Sequence, residues 1–136
     1  MATSALVDTS FLVALLSRRD SNHNWAAAQA PRFPPPWMTC EAVLSETSHL
    51  LGGNGTRSLA ALLRRDALVC HYRFSDDMDA VLKLLEKYSG VPMSFADACL
   101  VRMTETLNNP TLLTTNADFR IYRRHGRQVI PCVSPR

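Results

Sequence analysis

Apolar and polar positions along the chain predict short strands that alternate with helices. The first apolar run, "ALVDTSFLVALL", predicts a buried strand followed by a helix, with Thr9 and Ser10 as good N-cap residues. Three further apolar runs, "ALVCHY", "TLLTT" and "QVIPCV", predict the remaining strands. This alternation favours an α/β fold, a three-layer α/β/α sandwich with a central, mostly parallel sheet.

Proline and glycine separate the predicted helices. The segment "NHNWAAAQA" predicts a helix that ends at "PRFPPP", which cannot be helical. A third helix begins at Thr39 or Cys40 and ends at Leu51 before "GGNG", and a fourth, from Thr56 to Asp66, returns as the second arm of a helical hairpin. Three more helices are predicted at "DDMDAVLKLLEKY", "SFADACLVRMTETL" and "ADFRIYRR". The apolar face of the first of these comprises Met78, Val81, Leu82 and Leu85, and its first turn carries Asp76, Asp77 and Asp79 as solvated capping charges.

Length and composition are those of one globular domain spanning residues 1–136. The chain is 46% hydrophobic and 20% charged, and it is long enough to enclose a core without disulfides or structural metal. No basic region precedes the first apolar run, which is also too short to span a membrane. We therefore expect a soluble cytoplasmic protein without a membrane partner.

Cysteine and histidine are scattered along the chain. The four cysteines form no CxxC pair, which favours buried thiols in a reducing compartment over a disulfide framework. The four histidines are equally dispersed, so a zinc site is not expected. The residues concerned are Cys40, Cys70, Cys99, Cys132, His23, His49, His71 and His125.

Arginine dominates the positive charge. Of 15 basic residues, 13 are arginine, which suits bidentate phosphate contacts. A GC-rich genome is the alternative explanation of this bias. The segment "DFRIYRRHGR" is the best candidate for an RNA-binding surface, with Arg120, Arg123 and Arg124, because Arg120 and Arg124 would share a helix face. A solvated helix end is the alternative for these arginines. Tyr122 could stack on a base, although a helical tyrosine is more often in the core.

Three aspartates are expected at one edge of the sheet. Asp8 follows the first strand, Asp118 follows "TLLTT", and Asp97 opens a helix, so all three can meet beyond the carboxyl ends of the strands. Each also has a capping interpretation. Asp8 can be an N-cap, and "SFAD" and "TNAD" have the spacing of capping boxes.

The position of Glu46 favours a functional site over helix capping alone as the reason for these acids. It lies three residues after Val43 and four before Leu50, so it is expected on the inward face of its helix. A core salt bridge is the alternative. A cluster of carboxylates repels itself unless cations bind it, and Mg²⁺ or Mn²⁺ prefers carboxylate oxygen.

These motifs resemble those of a known family. "ALVDTSFLVALL", "TCEAVLSETSHLL", "SFADACLV" and "LLTTNADF" are similar, in order and spacing, to the four acidic motifs of the PIN domain, the nuclease domain of VapC-type toxins. The resemblance implies a Mg²⁺- or Mn²⁺-dependent ribonuclease that hydrolyses RNA phosphodiester bonds, forms homodimers and pairs with an antitoxin protein. It also implies that Asp8 and Asp97 bind metal, and that Glu46 and Asp118 complete the catalytic pocket. Thr9, Thr115 and Asn116 would be polar residues that support these acids. At the position of Asn116 relatives often have an acid.

Two other interpretations compete with the nuclease. A catalytically weak PIN-like module that binds RNA or a partner is compatible with Asn116. An aspartyl-phosphate phosphotransferase is less favoured. Haloacid-dehalogenase-like enzymes need a second acid where Ser10 stands, and receiver domains need a lysine late in the sheet, whereas Lys83 and Lys87 both lie in one predicted helix.

Overall fold

In the computed structural model, which describes residues 3–135, five parallel strands form a central sheet. In spatial order they are β3 (Leu68–Val69), β2 (Trp37–Met38), β1 (Ser4–Val7), β4 (Pro110–Leu113) and β7 (Cys132–Val133). Strands β1 and β4 pair over four residues, from Ser4 opposite Pro110 to Val7 opposite Leu113. Because β2 and β3 lie on one side of β1 whereas β4 and β7 lie on the other, the strand order reverses between β1 and β4.

Helices flank this sheet and give the three-layer α/β/α arrangement expected from the sequence. The buried core runs through the sheet and the inner faces of the helices, with Leu6, Phe11, Leu100 and Leu112 fully buried. None of the helices in residues 3–135 is both long and apolar enough to cross a membrane. The helices are α1 (Thr9–Leu16), α2 (His23–Gln29), α3 (Glu41–Arg64), α4 (Met78–Lys87) and α5 (Phe95–Glu105), with 3₁₀ turns at Ala30–Arg32, Phe74–Asp76 and Ala117–Arg120.

Strand β2 was not predicted from the sequence. It has only two residues and directly follows the proline-rich connector, so it shows no alternating pattern. Its pairing with β1 and β3 is decided by tertiary contacts, because Trp37 is buried and its ring packs edge-on against Phe11. The connector is also not free of helical structure, since a 3₁₀ turn covers Ala30–Arg32.

The third and fourth predicted helices are two arms of α3 that meet at Gly52. This residue has φ 70° and ψ −167°, a conformation that is essentially restricted to glycine, whereas Gly53, Asn54 and Gly55 already belong to the second arm. A Cβ atom added at Gly55 would lie 2.4 Å from Cβ of Leu51. Two glycines are therefore required here, one for its dihedral angles and one for close contact.

Substitution at Gly52 is expected to show the cost of its backbone conformation alone. Gly52→Ala should lower the free energy of unfolding by about 1–3 kcal/mol, because no atom obstructs the new methyl group and the cost is that of the backbone conformation alone. Gly53→Ala is the matched control. It also has open space around it but lies in helical backbone, so it should be neutral or slightly stabilising. Urea unfolding of both variants measures the difference, and equal effects at the two positions would contradict this explanation.

The segment after β4 differs from the predicted helix and strand. Instead of a helix over "ADFRIYRR", a 3₁₀ turn is followed by a two-stranded antiparallel ribbon, β5 (Arg123–Arg124) with β6 (Gln128–Val129). The predicted strand "QVIPCV" is divided, because β6 belongs to this ribbon and β7 to the main sheet. Arg120 and Arg124 therefore do not share a helix face, and that prediction was wrong.

Helix α4 buries less of its apolar stripe than its sequence indicates. Val81 is fully buried, but Met78 and Leu82 are 53% and 43% exposed, because packing against α5 covers only part of the stripe. Asp77 is also not a solvated charge, since Nε of Arg102 lies 3.1 Å from its Oδ2. The other two acids, Asp76 and Asp79, are exposed as expected and pair with Arg73 and Lys83.

Candidate functional site

A cleft of about 390 Å³ opens where the strand order reverses, at the carboxyl ends of β1 and β4. Asp8 directly follows β1, Glu46 comes from the first arm of α3, Asp97 from the first turn of α5, and Asp118 from the 3₁₀ turn after β4. All four predicted carboxylates line this cleft. The fold thus brings together acids that are up to 110 positions apart in the chain.

Asp8 is the most buried of these acids, with 4% of its surface exposed. It is the N-cap of α1, which corrects the prediction of Thr9 or Ser10, because its Oδ1 accepts a hydrogen bond from the backbone N–H of Phe11 at 2.9 Å. The Ser10 hydroxyl donates to the same oxygen at 2.7 Å, and the Thr114 hydroxyl donates to Oδ2. Both carboxylate oxygens are therefore fixed in place.

Burial makes the charge on Asp8 costly. It raises the pKa of Asp8 from 3.8 to about 6, although the hydrogen bonds from Thr114, Phe11 and Ser10 act in the opposite direction. The negative charge of Asp97 raises this pKa further. The two acids are thus close enough to repel each other through the cleft.

Asp97 is held by a capping box and by a buried tyrosine. The Ser94 hydroxyl accepts from the Asp97 backbone N–H at 3.0 Å, and Oδ2 of Asp97 accepts from the Ser94 backbone N–H at 3.3 Å, as "SFAD" predicts. The hydroxyl of Tyr122 lies 3.1 Å from the same Oδ2 and 2.8 Å from the carbonyl oxygen of Pro92. Burial raises the pKa of Asp97, and the charge of Glu46 adds to this increase.

Glu46 faces the cleft and not the core. Its Oε1 accepts a hydrogen bond from the Thr9 hydroxyl at 2.8 Å, and the residue is exposed. The expected inward position was wrong because the face through Val43, Glu46 and Leu50 forms the wall of the cleft, with Leu50 64% exposed. The next residue, Thr47, is buried, whereas Glu46 is exposed, so Glu46 does not form a salt bridge in the core.

Asp118 lies at the rim of the cleft, supported by its neighbours in the chain. The Asn116 side chain caps this 3₁₀ turn by accepting from the Asp118 backbone N–H at 2.9 Å, so the cap is Asn116 and not Thr115. The Thr115 backbone N–H donates to Ser10 Oγ at 2.9 Å. Asn116 therefore has a structural role that an acid could also perform.

Four further polar residues at or near the cleft were not assigned to the acidic site from the sequence. Ser10 and Thr114 bind Asp8, Tyr122 binds Asp97, and Asp20 lines the cleft from the loop between α1 and α2. Ser10 and Thr114 could have been found as polar neighbours of the predicted strand ends. Tyr122 and Asp20 have no local signal, since only the fold brings them near the other acids.

The donor set fits a hard divalent cation. Carboxylate oxygens predominate, and Asp8, Asp97 and Glu46 repel one another, which a cation would relieve. Within residues 3–135 no three histidine, cysteine or acidic side chains form a ready-made metal cluster. This is compatible with Mg²⁺, which is usually bound by one or two carboxylates together with water and substrate phosphates.

The three candidate arginines are held in different ways. Arg120 is exposed, and its Nη2 donates to Ser134 Oγ at 3.2 Å. Arg123 folds back onto nearby carbonyl oxygens, including that of Arg120 at 2.7 Å. Arg124 is half-buried, and its guanidinium donates to the carbonyl oxygens of Thr104 and Leu107 at the end of α5. Tyr122 is completely buried, so it is a core residue as expected.

Comparisons with known proteins agree with this geometry. The sequence profile of the PIN domain matches residues 5–124. The crystal structure of VapC20 from Mycobacterium tuberculosis, a toxin that cleaves the sarcin–ricin loop, is 25% identical and superposes with a TM-score of 0.76 over 85% of this chain and 92% of that chain. A search among curated proteins finds no significant match.

Proposed function

Since this chain belongs to the PIN domain family, we propose that it is a Mg²⁺- or Mn²⁺-dependent endoribonuclease and the toxin of a toxin–antitoxin pair. The observation that supports this most is the meeting of Asp8, Glu46, Asp97 and Asp118 in one cleft. The similarity to VapC20, an RNA-cleaving toxin, points to the same class of substrate.

The protein's own part in the reaction is to hold the cation and to orient the scissile phosphate. Asp8 and Asp97 would bind the cation, because both are fixed by hydrogen bonds and each faces the cleft. Glu46, oriented by Thr9, and Asp118, positioned by Asn116, would complete the acidic pocket around the scissile phosphate. When bound, a divalent cation activates water and neutralises charge that develops on the phosphoryl oxygens.

Cleavage of RNA by the purified protein tests this function. Protein freed of any antitoxin is incubated with total RNA and with sarcin–ricin loop RNA, in Mg²⁺, in Mn²⁺ and in EDTA. We expect cleavage with either metal, none in EDTA, and none of a DNA strand of the same sequence. Metal-independent cleavage would contradict the metal site, and RNA binding without cleavage would favour the catalytically weak module.

Arg120 and Arg123 are proposed to bind RNA phosphates beside the cleft, because both follow Asp118 closely in the chain. Arg120→Glu should weaken RNA binding and reduce the slope of log K against log salt by about 1. Arg32→Glu, an exposed position in the turn after α2, changes the net charge equally and should leave the slope unchanged. Equal effects of both variants would indicate only a general charge effect.

Arg124→Glu should instead lower the free energy of unfolding, since the Arg124 guanidinium binds the end of α5.

We also propose that the protein is a cytoplasmic homodimer whose cleft is covered by the antitoxin. Large exposed apolar side chains support protein partners, and one of them, Leu50, lines the cleft. A monomeric mass by light scattering at micromolar concentration would contradict the dimer. The exposed side chains are Leu50, Met78, Leu82, Phe95, Ile121 and Val129.

A further inference from the structure

Two buried cysteines form a pair that the nuclease function does not use. Cys40 is the N-cap of α3 and Cys99 lies in α5, and their exposed fractions are 2% and 1%. Both side chains line the same small cavity. Both cysteines are free thiols, and they meet although 59 positions separate them in the chain. Their contact therefore results from packing of α3 against α5.

A small cavity borders both thiols. Its volume is about 170 Å³, and it shares no lining residue with the acidic cleft. Phe95, which forms part of its wall, is 43% exposed, so the cavity lies close to the surface. A water molecule occupies roughly 30 Å³ in the liquid, so a hydroperoxide of similar size fits inside. The lining residues are Cys40, Glu41, Ala42, Tyr72, Phe74, Phe95 and Cys99.

We propose that Cys40 and Cys99 are a redox-active dithiol that closes to a reversible disulfide when hydrogen peroxide enters this cavity. Cys40 attacks one peroxide oxygen, the O–O bond breaks with release of water, and Cys40 becomes a sulfenic acid. The Cys99 thiol then attacks the Cys40 sulfur, the S–O bond breaks, and a second water leaves. The two thiols lose two electrons and two protons in total, and one peroxide is reduced to two waters.

The surroundings of Cys40 favour it as the attacking thiol. The adjacent Cys99 thiol lowers the pKa of Cys40, and the backbone N–H groups of Val43 and Ala42 act in the same direction, against the effects of burial and of the Glu46 charge. This is the environment expected at a helix N-terminus, where a thiolate is stabilised. Cys70 and Cys132 differ, since burial raises the pKa of each to about 11.

Closing the disulfide would connect the two helices that carry cleft carboxylates. Glu46 lies six residues after Cys40 on α3, and Asp97 lies two residues before Cys99 on α5. A new covalent bond between these helices is expected to shift the two acids relative to each other. The consequence for RNA cleavage rests on the proposed function, whereas formation of the disulfide does not.

Mass spectrometry of the oxidised full-length chain tests the dithiol. The reduced protein is treated with hydrogen peroxide, remaining thiols are alkylated, and both intact mass and non-reduced peptides are measured. We expect a mass loss of two hydrogen atoms, a Cys40–Cys99 peptide, alkylation of Cys70 and Cys132, and reversal by dithiothreitol. The proposal is overturned if all four cysteines stay alkylatable, or if the cross-link joins other cysteines.

Two variants keep this result interpretable. Cys70→Ser with Cys132→Ser retains the pair and should form the same cross-link, whereas Cys99→Ala should lose it. Since the wild-type peptide map already identifies the bond, poor folding of the second variant does not affect the test. In the nuclease assay we expect the oxidised protein to cleave RNA at about one tenth of the reduced rate or below, and we expect reduction to restore the rate. An unchanged rate in a fully cross-linked sample would overturn the regulatory effect, and absence of cleavage in the reduced protein would instead contradict the proposed function.

Discussion

Replacing Asp8 with asparagine is expected to abolish RNA cleavage and, at the same time, to make the metal-free protein more stable. Loss of a carboxylate that binds the cation should lower the cleavage rate by more than about 100-fold. Even residues that only hydrogen-bond to metal ligands contribute about 10–100-fold to metal affinity or activity. Asparagine is nearly the same size, and its amide oxygen can still accept the hydrogen bond from the Phe11 N–H. The fold around the cleft should therefore be kept.

The gain in stability follows from the cost of burying a charge. Above pH 6 the folded protein must ionise Asp8, whose pKa has risen from 3.8 to about 6. Two pKa units correspond to about 3 kcal/mol, and asparagine avoids this cost. The amide group replaces the carboxylate that accepts from the Thr114 hydroxyl, and weakening of this hydrogen bond offsets part of the gain. An increase of about 1–3 kcal/mol in the free energy of unfolding is therefore expected from urea unfolding in EDTA at pH 7.5.

Asp79→Asn is the matched control for this experiment. Asp79 is exposed on α4, where it pairs with Lys83, and it lies outside the cleft. This variant should keep full activity and change the free energy of unfolding by less than about 0.5 kcal/mol. Full activity of Asp8→Asn would remove Asp8 from the metal site. A less stable Asp8→Asn protein in EDTA would contradict the cost assigned to its charge.

The stability of the metal-free protein should fall as the pH rises from about 4 to about 6. Between 3.8, the pKa of Asp8 in the unfolded chain, and about 6 in the folded state, the folded protein binds more protons. The free energy of unfolding therefore decreases with increasing pH in this interval and levels off above it. The raised pKa of Asp97 acts with the same sign. Urea unfolding at a series of pH values measures the slope.

Mg²⁺ should reverse this trend, because the cation competes with the proton for the same carboxylates. At 100 times its dissociation constant, a bound ligand raises the free energy of unfolding by about 2.7 kcal/mol. This gain in the free energy of unfolding should be present at pH 7.5 and lost below about pH 4. The difference between wild type and Asp8→Asn isolates the contribution of Asp8 from all other titrating groups. A pH-independent difference, or equal stabilisation of both proteins by Mg²⁺, would contradict this account.

Capping and membership of the acidic site proved to be compatible for Asp8 and Asp97. From the sequence they were alternatives, because a capping residue needs no further function. In the structure Asp8 caps α1 and Asp97 completes the capping box of α5, and both still line the cleft. A carboxylate has about four lone-pair positions, so it can accept from a helix N-terminus and remain available to a cation. The backbone bonds fix the direction of each carboxylate.

Predictions from local sequence were reliable where the signal itself was local. The capping box at Ser94 and Asp97, the first strand and the α/β alternation all depend on neighbouring residues, and all are confirmed. Predictions failed where burial depended on distant partners. Leu50 and Glu46 have the spacing of a core face but line a cleft, and β2 has no pattern of its own.

The sequence by itself determined the alternation of strands and helices, and it placed Asp8, Asp97 and Asp118 at the end of a strand or in the first turn of a helix. These features follow from periodicity, capping and chain geometry, which act over a few residues. Only the tertiary structure decided that Thr114 and Tyr122 orient Asp8 and Asp97, that Arg124 binds α5 and not solvent, and that Cys40 and Cys99 line one cavity. Those contacts join residues far apart in the chain, so they depend on how the helices pack on the sheet, which no local pattern specifies.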